Sequence, residues 1–165
     1  MAKWIAVGAA GLMAVAVSGC SASPAVQVVP VKCPTKPPVI LLMTDLAPGR
    51  LAPADATQGV MCAYAGVNDK APEGSLTRSV PVADAAALAA LLNEATPTPP
   101  GAVYHCPMDD GGIDAVVLAR SSGAPVIVEV HRTGCRFATS TLAKTSFILS
   151  AAALGALHVL DPTVR

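Results

Sequence analysis

The most constraining stretch of the chain lies in its second half. Two runs rich in β-branched residues, 113–119 and 126–131, are separated by Arg120, Ser121, Ser122, Gly123, Ala124 and Pro125. Runs of this kind divided by Ser, Gly and Pro form an antiparallel hairpin. Cross-strand partners in a hairpin keep a nearly constant index sum, about 244 for a turn centred on Ser122. Cys106 with Cys135 falls about three short of that sum, which an irregularity at Gly111 and Gly112 absorbs. The hairpin therefore places Cys106 opposite Cys135.

The N-terminus addresses location. Lys3 precedes residues 4–17, an uncharged stretch of Ala, Val, Ile, Leu, Met, Gly and Trp. Its length of about 14 residues suits the apolar core of an export signal and is short of the roughly 20 that cross a bilayer. Val17, Ser18, Gly19 and Cys20 follow. This run resembles the lipobox of bacterial lipoproteins, with Val17 where that family prefers Leu. The resemblance implies that residues 1–19 are a lipoprotein signal peptide and that the Cys20 sulfur carries diacylglycerol. It also implies anchoring on the extracytoplasmic face of the cell membrane, since two or more acyl chains hold where one is marginal. Residues 21–38 are mostly Ser, Ala, Val and Pro with Lys32 and Lys36 as the charges, a composition that reads as a solvated, extended tether. From Cys20 to Cys33 such a tether reaches at most roughly 43 Å.

With Cys20 given to the lipid, Cys33, Cys62, Cys106 and Cys135 remain. Outside the cytoplasm four spaced cysteines form disulfides, and they allow three connectivities. The hairpin selects Cys106–Cys135, which leaves Cys33 with Cys62. Structural zinc sites use knuckles two to four residues apart, and no two of these cysteines are that close. Closing each loop should contribute roughly 3 to 4 kcal/mol in the chain-entropy model. Such help suits a chain whose aromatic residues after Cys20 are only Tyr64, Tyr104, Phe137 and Phe147.

Elsewhere, residues 39–43 form a short apolar run, 45–56 read as loop, and 59–64 and 75–80 read as strands. Asp84 caps a helix reaching Asn93, with Leu88, Leu91 and Leu92 on one side, and Pro97, Pro99 and Pro100 lie beyond its end. A C-terminal helix is expected over 142–159, opened by Ser140 or Thr141 and stopped by Asp161 and Pro162. Together these give one α+β domain over 39–165, a small antiparallel sheet with two covering helices and two disulfides.

The chain carries eleven basic and eleven acidic side chains. A balanced charge gives no electrostatic footprint for nucleic acid. Phosphate loops, dinucleotide fingerprints, nucleophile elbows and metalloprotease helices each need fixed spacings that the chain lacks, so neither a catalytic residue nor a cofactor or metal site is assigned. His105, His131 and His158 read as structural. Asp109, Asp110 and Asp114 read as a solvated turn, and Arg132 and Arg136 as cations pairing with those carboxylates across the hairpin base.

Two broader resemblances remain. The helix ending in Leu92 and Asn93, the Pro-rich spacer, Cys106 with Pro107, the Asp and Gly turn, the hairpin, and Gly134, Cys135 and Arg136 look like small uncharacterised envelope lipoproteins of high-GC Gram-positive bacteria. That likeness covers about residues 84–137 and implies architecture, with no activity to transfer. Cys106, Pro107 and Met108 after a Leu and Asn helix, with a second cysteine about 30 residues on, resemble secreted subtilisin inhibitors. Those inhibitors present the residues after that cysteine to a protease cleft, although their second close cysteine pair is missing here and Asp109 and Asp110 follow Met108. The expected function is a non-catalytic, lipid-anchored envelope domain that binds an envelope protein, cell-wall or small-molecule partner. A protease inhibitor is the alternative, and an envelope hydrolase, whose triad would assemble only in space, the third.

Overall fold

A computed structural model describes residues 30–40, 49–143 and 145–162. The signal peptide, Cys20, the first half of the tether and most of the apolar run at 39–43 lie outside the described residues. The elements in chain order are β1 Ala56–Tyr64, β2 Leu76–Val82, α1 Ala85–Leu92, β3 Thr96–Pro97, β4 Ile113–Arg120, β5 Val126–His131, β6 Phe137–Ser140, β7 Phe147–Ile148 and α2 Ala151–Leu160. The strands form one seven-stranded sheet in the order β2-β1-β4-β5-β6-β7-β3. Every neighbouring pair is antiparallel. The α+β reading therefore holds only coarsely, because sheet dominates and is not small.

The hairpin forms as its composition dictates. β4 pairs with β5 so that Ile113 faces His131 and Leu118 faces Val126, the register that a turn at Ser122 requires. β4 also pairs with β1 along its whole length, making it a central strand. Its residues from Asp114 to Ala119 are all buried, which explains a nearly continuous apolar run where a half-exposed strand would alternate.

Alternation still sorts the two faces. Val116 and Leu118 join Met61, Leu88, Leu92, Val128, Phe147 and Leu157 in the main core. Ala115 and Val117 join Val60, Cys62 and Tyr64 in a second cluster on the opposite face, with Val31, Cys33, Ile113 and Ile127 packed against it. Two helices contribute to the first core, and the N-terminal segment covers the second.

α1 matches its expected span. The Asp84 side chain accepts from the Ala87 N–H at 2.9 Å, satisfying one of the orphan donors of the first turn. At the other end Asn93 does two things. It caps the helix, and its side-chain amide exchanges hydrogen bonds with Ala52, accepting from the Ala52 N–H at 2.9 Å and donating to its carbonyl at 3.0 Å. Leu51 and Ala52 are thereby pinned in the core.

The C-terminal helix corrects the expectation. It covers Ala151–Leu160 with Ser150 as N-cap, and the residues expected to form its first half include strand β7. Ser140 Oγ accepts from the Leu142 and Ala143 N–H groups, closing a turn that resembles a cap but does not propagate. Phe147 is buried and pairs with Ala138 on one side and Pro97 on the other. Burying an aromatic ring between two strands outweighs the helix propensity of a few residues, which is worth only tenths of a kcal/mol each.

The tether is corrected from Val31 onward. Cys33 is bonded to Cys62 on β1, with Cα atoms 5.6 Å apart. The Tyr64 hydroxyl donates to the Pro34 carbonyl at 2.8 Å. One covalent bond and one buried hydrogen bond therefore hold against the sheet a segment whose composition favours solvent. Cys106 and Cys135 form the second disulfide, with Cα atoms 4.8 Å apart.

Replacing both Cys33 and Cys62 by Ala should lower the unfolding free energy by about 2 to 5 kcal/mol. Urea denaturation reads this directly, and an unchanged midpoint would show that the strap rests on the sheet without bracing it.

Candidate functional site

Pro97, Pro99 and Pro100 end the short strand β3 and restrict the backbone that follows. The chain then runs without regular structure to Ile113. Along this loop Val103 and Met108 are 83% and 88% exposed. Tyr104 is fixed by Phe137 of β6, their rings meeting edge to face with centroids 5.0 Å apart.

Met108 is held from both sides. Two residues before it, Cys106 is bonded to Cys135. Immediately after it, Asp109 Oδ1 accepts from the Gly111 N–H at 2.9 Å and lies 3.0 Å from Thr133 Oγ1, while Oδ2 lies 3.0 Å from His131 Nδ1. Asp110 adds more, beginning with its Oδ1, which accepts from Thr133 Oγ1 at 2.8 Å. Its N–H donates to Thr133 Oγ1 at 3.0 Å, its Oδ1 accepts from the Gly112 N–H at 2.9 Å, and its carbonyl accepts from the Val67 N–H at 2.7 Å. Gly134 adopts φ +69° and faces the Asp109 side chain so closely that an added Cβ would sit 3.1 Å from Asp109 Cβ. The loop is thus an irregular, exposed segment with fixed ends.

His131 is the cation that faces the carboxylates of this clamp. Burial pushes the Asp109 carboxyl up, but the Gly111 N–H, His131 and Thr133 outweigh it and hold the carboxyl below the usual range. Glu129, with Oε1 3.5 Å from His131 Nε2, and Asp109 at Nδ1 raise the His131 pKa against the opposing effect of burial. Both ring nitrogens face carboxylates, and both donate when the ring is protonated.

A second group of charges lies on the helix-covered face. One rung of the sheet carries Arg78 on β2, Ala63 on β1, Asp114 on β4 and Val130 on β5. Asp114 shares its face with Val116 and Leu118 and is fully buried, which corrects its reading as part of a solvated turn. Neither of its carboxyl oxygens has a hydrogen-bond partner. Burial first and the charge of Asp161 second, opposed by Arg132, push it up to about 7. Asp161, buried at the end of α2, is 3.3 Å from the Arg78 guanidinium. Arg132 is also buried. It donates to the Tyr64 carbonyl and, at 2.9 Å, to Asp69 Oδ2, so it pairs with Asp69 where a partner across the hairpin base was expected.

Of the sequence-selected residues, the structure brings Cys106, Cys135, Asp109, Asp110 and His131 together around one loop. It separates Asp114 and Arg132 from them. Asp69, Arg78 and Asp161 come from three distant segments and carry no local signal. Among the described residues, no three His, Cys, Asp or Glu side chains are grouped to hold a metal ion, and no helix is long and apolar enough to cross a membrane. Comparison of the chain with protein-family models, with curated proteins and with solved structures finds no match.

The carboxyl of Asp114 makes a pH prediction. Its folded pKa lies above the unfolded value, so its contribution to stability is fully present below about pH 4 and is lost as pH rises toward 7. The loss amounts to at most about 4 kcal/mol, at about 1.36 kcal/mol per pKa unit. The raised His131 acts in the same direction, so the decisive comparison is between proteins. Asp114→Asn keeps the shape and cannot ionise. It should unfold at higher urea than wild type at pH 8 and at similar urea at pH 4.5.

Proposed function

We propose that the protein is a lipid-anchored domain on the extracytoplasmic face of the cell envelope, without catalytic activity of its own, that binds a protein or cell-wall partner through the loop around Met108. The observation that carries this reading is an 88% exposed methionine fixed between a disulfide on one side and the Asp109 and Asp110 hydrogen bonds on the other. Water penalises an exposed apolar side chain slightly, whereas a partner pocket rewards it. Fixing the backbone beforehand lowers the entropy lost on association. Methionine suits such a contact because its unbranched, polarisable side chain adapts to a pocket.

Two disulfides support an oxidising compartment, as the export signal and the lipobox resemblance imply. The Cys33 strap adds a geometric argument. The lipid on Cys20 would connect through residues 21–30 to a point fixed on β1, so the domain is held on a leash of about ten residues, at most roughly 35 Å. With equal numbers of acidic and basic side chains, we do not assign a nucleic-acid partner.

A second reading, inhibition of a subtilisin-like protease, is favoured by one specific observation. Cys106, Pro107 and Met108 are followed by two carboxylates that hydrogen-bond to the loop's own supports, leaving Met108 as the outstanding side chain. An exposed segment with fixed ends suits a protease cleft, and protease–inhibitor pairs are tight for their interface size.

Two experiments test these readings. Expression of Cys20→Ala in a host that processes lipoproteins should yield a soluble or unprocessed chain, whereas wild type sediments with membranes as an acylated product. Recovery of normally acylated, membrane-bound protein from the variant would sink the anchor. Met108→Gly should leave the unfolding free energy within about 0.5 kcal/mol of wild type, as expected for an exposed side chain. The same variant should abolish inhibition of a subtilisin-like protease if the second reading holds. Wild-type protein that inhibits no such protease leaves the first reading and removes the second.

A further inference from the structure

The His131 ring closes strand β5 between two carboxyl groups that reach it from different parts of the chain. Glu129 precedes it by two residues on the same face of β5, with Oε1 3.5 Å from Nε2. Asp109 belongs to the loop, and its Oδ2 lies 3.0 Å from Nδ1. The two carboxyls differ in freedom. Glu129 is buried in the sheet with Ala115 of β4 and Thr139 of β6 as its strand neighbours, and among the described residues its Oε2 has no hydrogen-bond partner. Asp109 sits on irregular backbone with its side chain 40% exposed. The other elements around the ring bring no charge to it. β4 presents Ile113 opposite, the turn after β5 presents the neutral Thr133, and Arg132 is directed away to Asp69 and the Tyr64 carbonyl.

We propose that His131 is a proton-controlled latch on the loop around Met108. As an imidazolium it has a donor for each carboxyl and ties Asp109 to the end of β5. As a neutral ring it has one donor and one lone pair, so one of the two carboxylates meets the lone pair. Glu129 is held in the sheet and Asp109 is not, so the loop is the side that gives way. Asp110 stays in place, because its bonds to Thr133, the Gly112 N–H and the Val67 N–H are made without His131. Release is therefore confined to residues 107–109, between the Cys106–Cys135 bond and the Asp110 anchor. Met108 lies within that stretch.

Geometry and charge agree on the direction. Glu129 and Asp109 raise the His131 pKa, opposed by burial. A proton held more tightly when the loop is in place holds the loop more tightly in return. That contribution is complete below the ordinary histidine value of about 6.5 and is lost as pH rises through the higher folded value. Asp109, held below the usual carboxylate range, stays ionised across this window. The latch is a property of the domain alone, and its bearing on binding rests on the proposed role of Met108. A loop fixed beforehand loses less entropy on association, so partner binding should weaken as pH rises past the His131 midpoint.

The loop carries an internal control for the test. The Gly111 N–H donates to Asp109 and the Gly112 N–H to Asp110, so the ratio of their water-exchange rates reports release of Asp109 independently of hydroxide concentration. NMR of the mature, oxidised full-length chain in detergent should show the Gly111 to Gly112 ratio rising at least about threefold from about pH 6 to about pH 8, with the midpoint of the His131 ring resonance. His131→Gln keeps a donor but cannot titrate, and its ratio should stay flat. Asp109→Asn removes one of the two charges and should move the His131 midpoint down by at least about 0.5. A ratio that stays flat in wild type while His131 titrates overturns the latch. A rise that persists in His131→Gln belongs to another group, Asp114 among them, and overturns it equally, as does an unmoved His131 midpoint in Asp109→Asn. All of these readings come from the protein alone, so a failed latch does not touch the role of Met108, and a failed role for Met108 does not touch the latch.

Discussion

Strand β4 is buried on both faces, and the rest of the structure depends on covering it. A domain with so few aromatic residues cannot gain stability from large rings, so the sheet must bury small aliphatic side chains efficiently on either side. α1, α2 and the Leu51–Ala52 segment do this on one face. On the other, Cys33 brings the N-terminal segment onto Cys62, Tyr64, Ala115 and Val117. The first disulfide is thus part of the second core, where the S–S bond replaces side-chain bulk that the sequence does not supply. The second disulfide has a different task. Cys106 and Cys135 lie outside the two cores and join the loop to the end of the hairpin.

How much of this was legible depended on the range of the interactions. The β4–β5 hairpin and its register follow from two β-branched runs and a turn, all within 20 residues, and the same local logic delivers Cys106 beside Cys135. α1 follows from Asp84 and the leucine spacing. The residues around Phe147 misled because their helix propensity is local, while their pairing with Ala138 and Pro97 is not. Composition misled in the same way at residues 31–38, where a tether is expected from Pro, Val and Lys. One disulfide to β1 and one hydrogen bond from Tyr64 decide otherwise.

Asp114 is the instructive residue. Alternation along β4 places it on the face of Val116 and Leu118, and that signal was present in the sequence. Residue type argued for solvent, as it does for most aspartates, and grouping it with Asp109 and Asp110 as one acidic turn followed from chain proximity. The strand begins between them. Three and four residues before β4 the carboxylates hydrogen-bond to backbone and hydroxyl groups, and one residue into β4 the carboxyl is enclosed. Arg78, Asp69 and Asp161 were invisible for the opposite reason, since each is an ordinary polar residue in its own segment and acquires meaning only when β2, the turn after β1 and the end of α2 converge.

The segment after β5 connects the loop with the second group of charges. His131 and Thr133 point to the loop, holding Asp109 and Asp110, while Arg132 between them points the other way, to Asp69 and the Tyr64 carbonyl. Gly112 and Gly134 are the residues that let these side chains pack, since a Cβ on Gly112 would run into the Arg132 guanidinium and one on Gly134 into Asp109. Alternation in a three-residue stretch therefore sends neighbouring side chains to opposite sides of the backbone, one set fixing the exposed loop and the other pairing with Asp69. A displacement of Arg132 would have to move the backbone that also carries Thr133, because the Arg132 N–H is bonded to the Gly112 carbonyl at 3.0 Å. The loop and the Arg132–Asp69 pair are in this sense two faces of one short piece of chain, and its rigidity sets the rigidity of both.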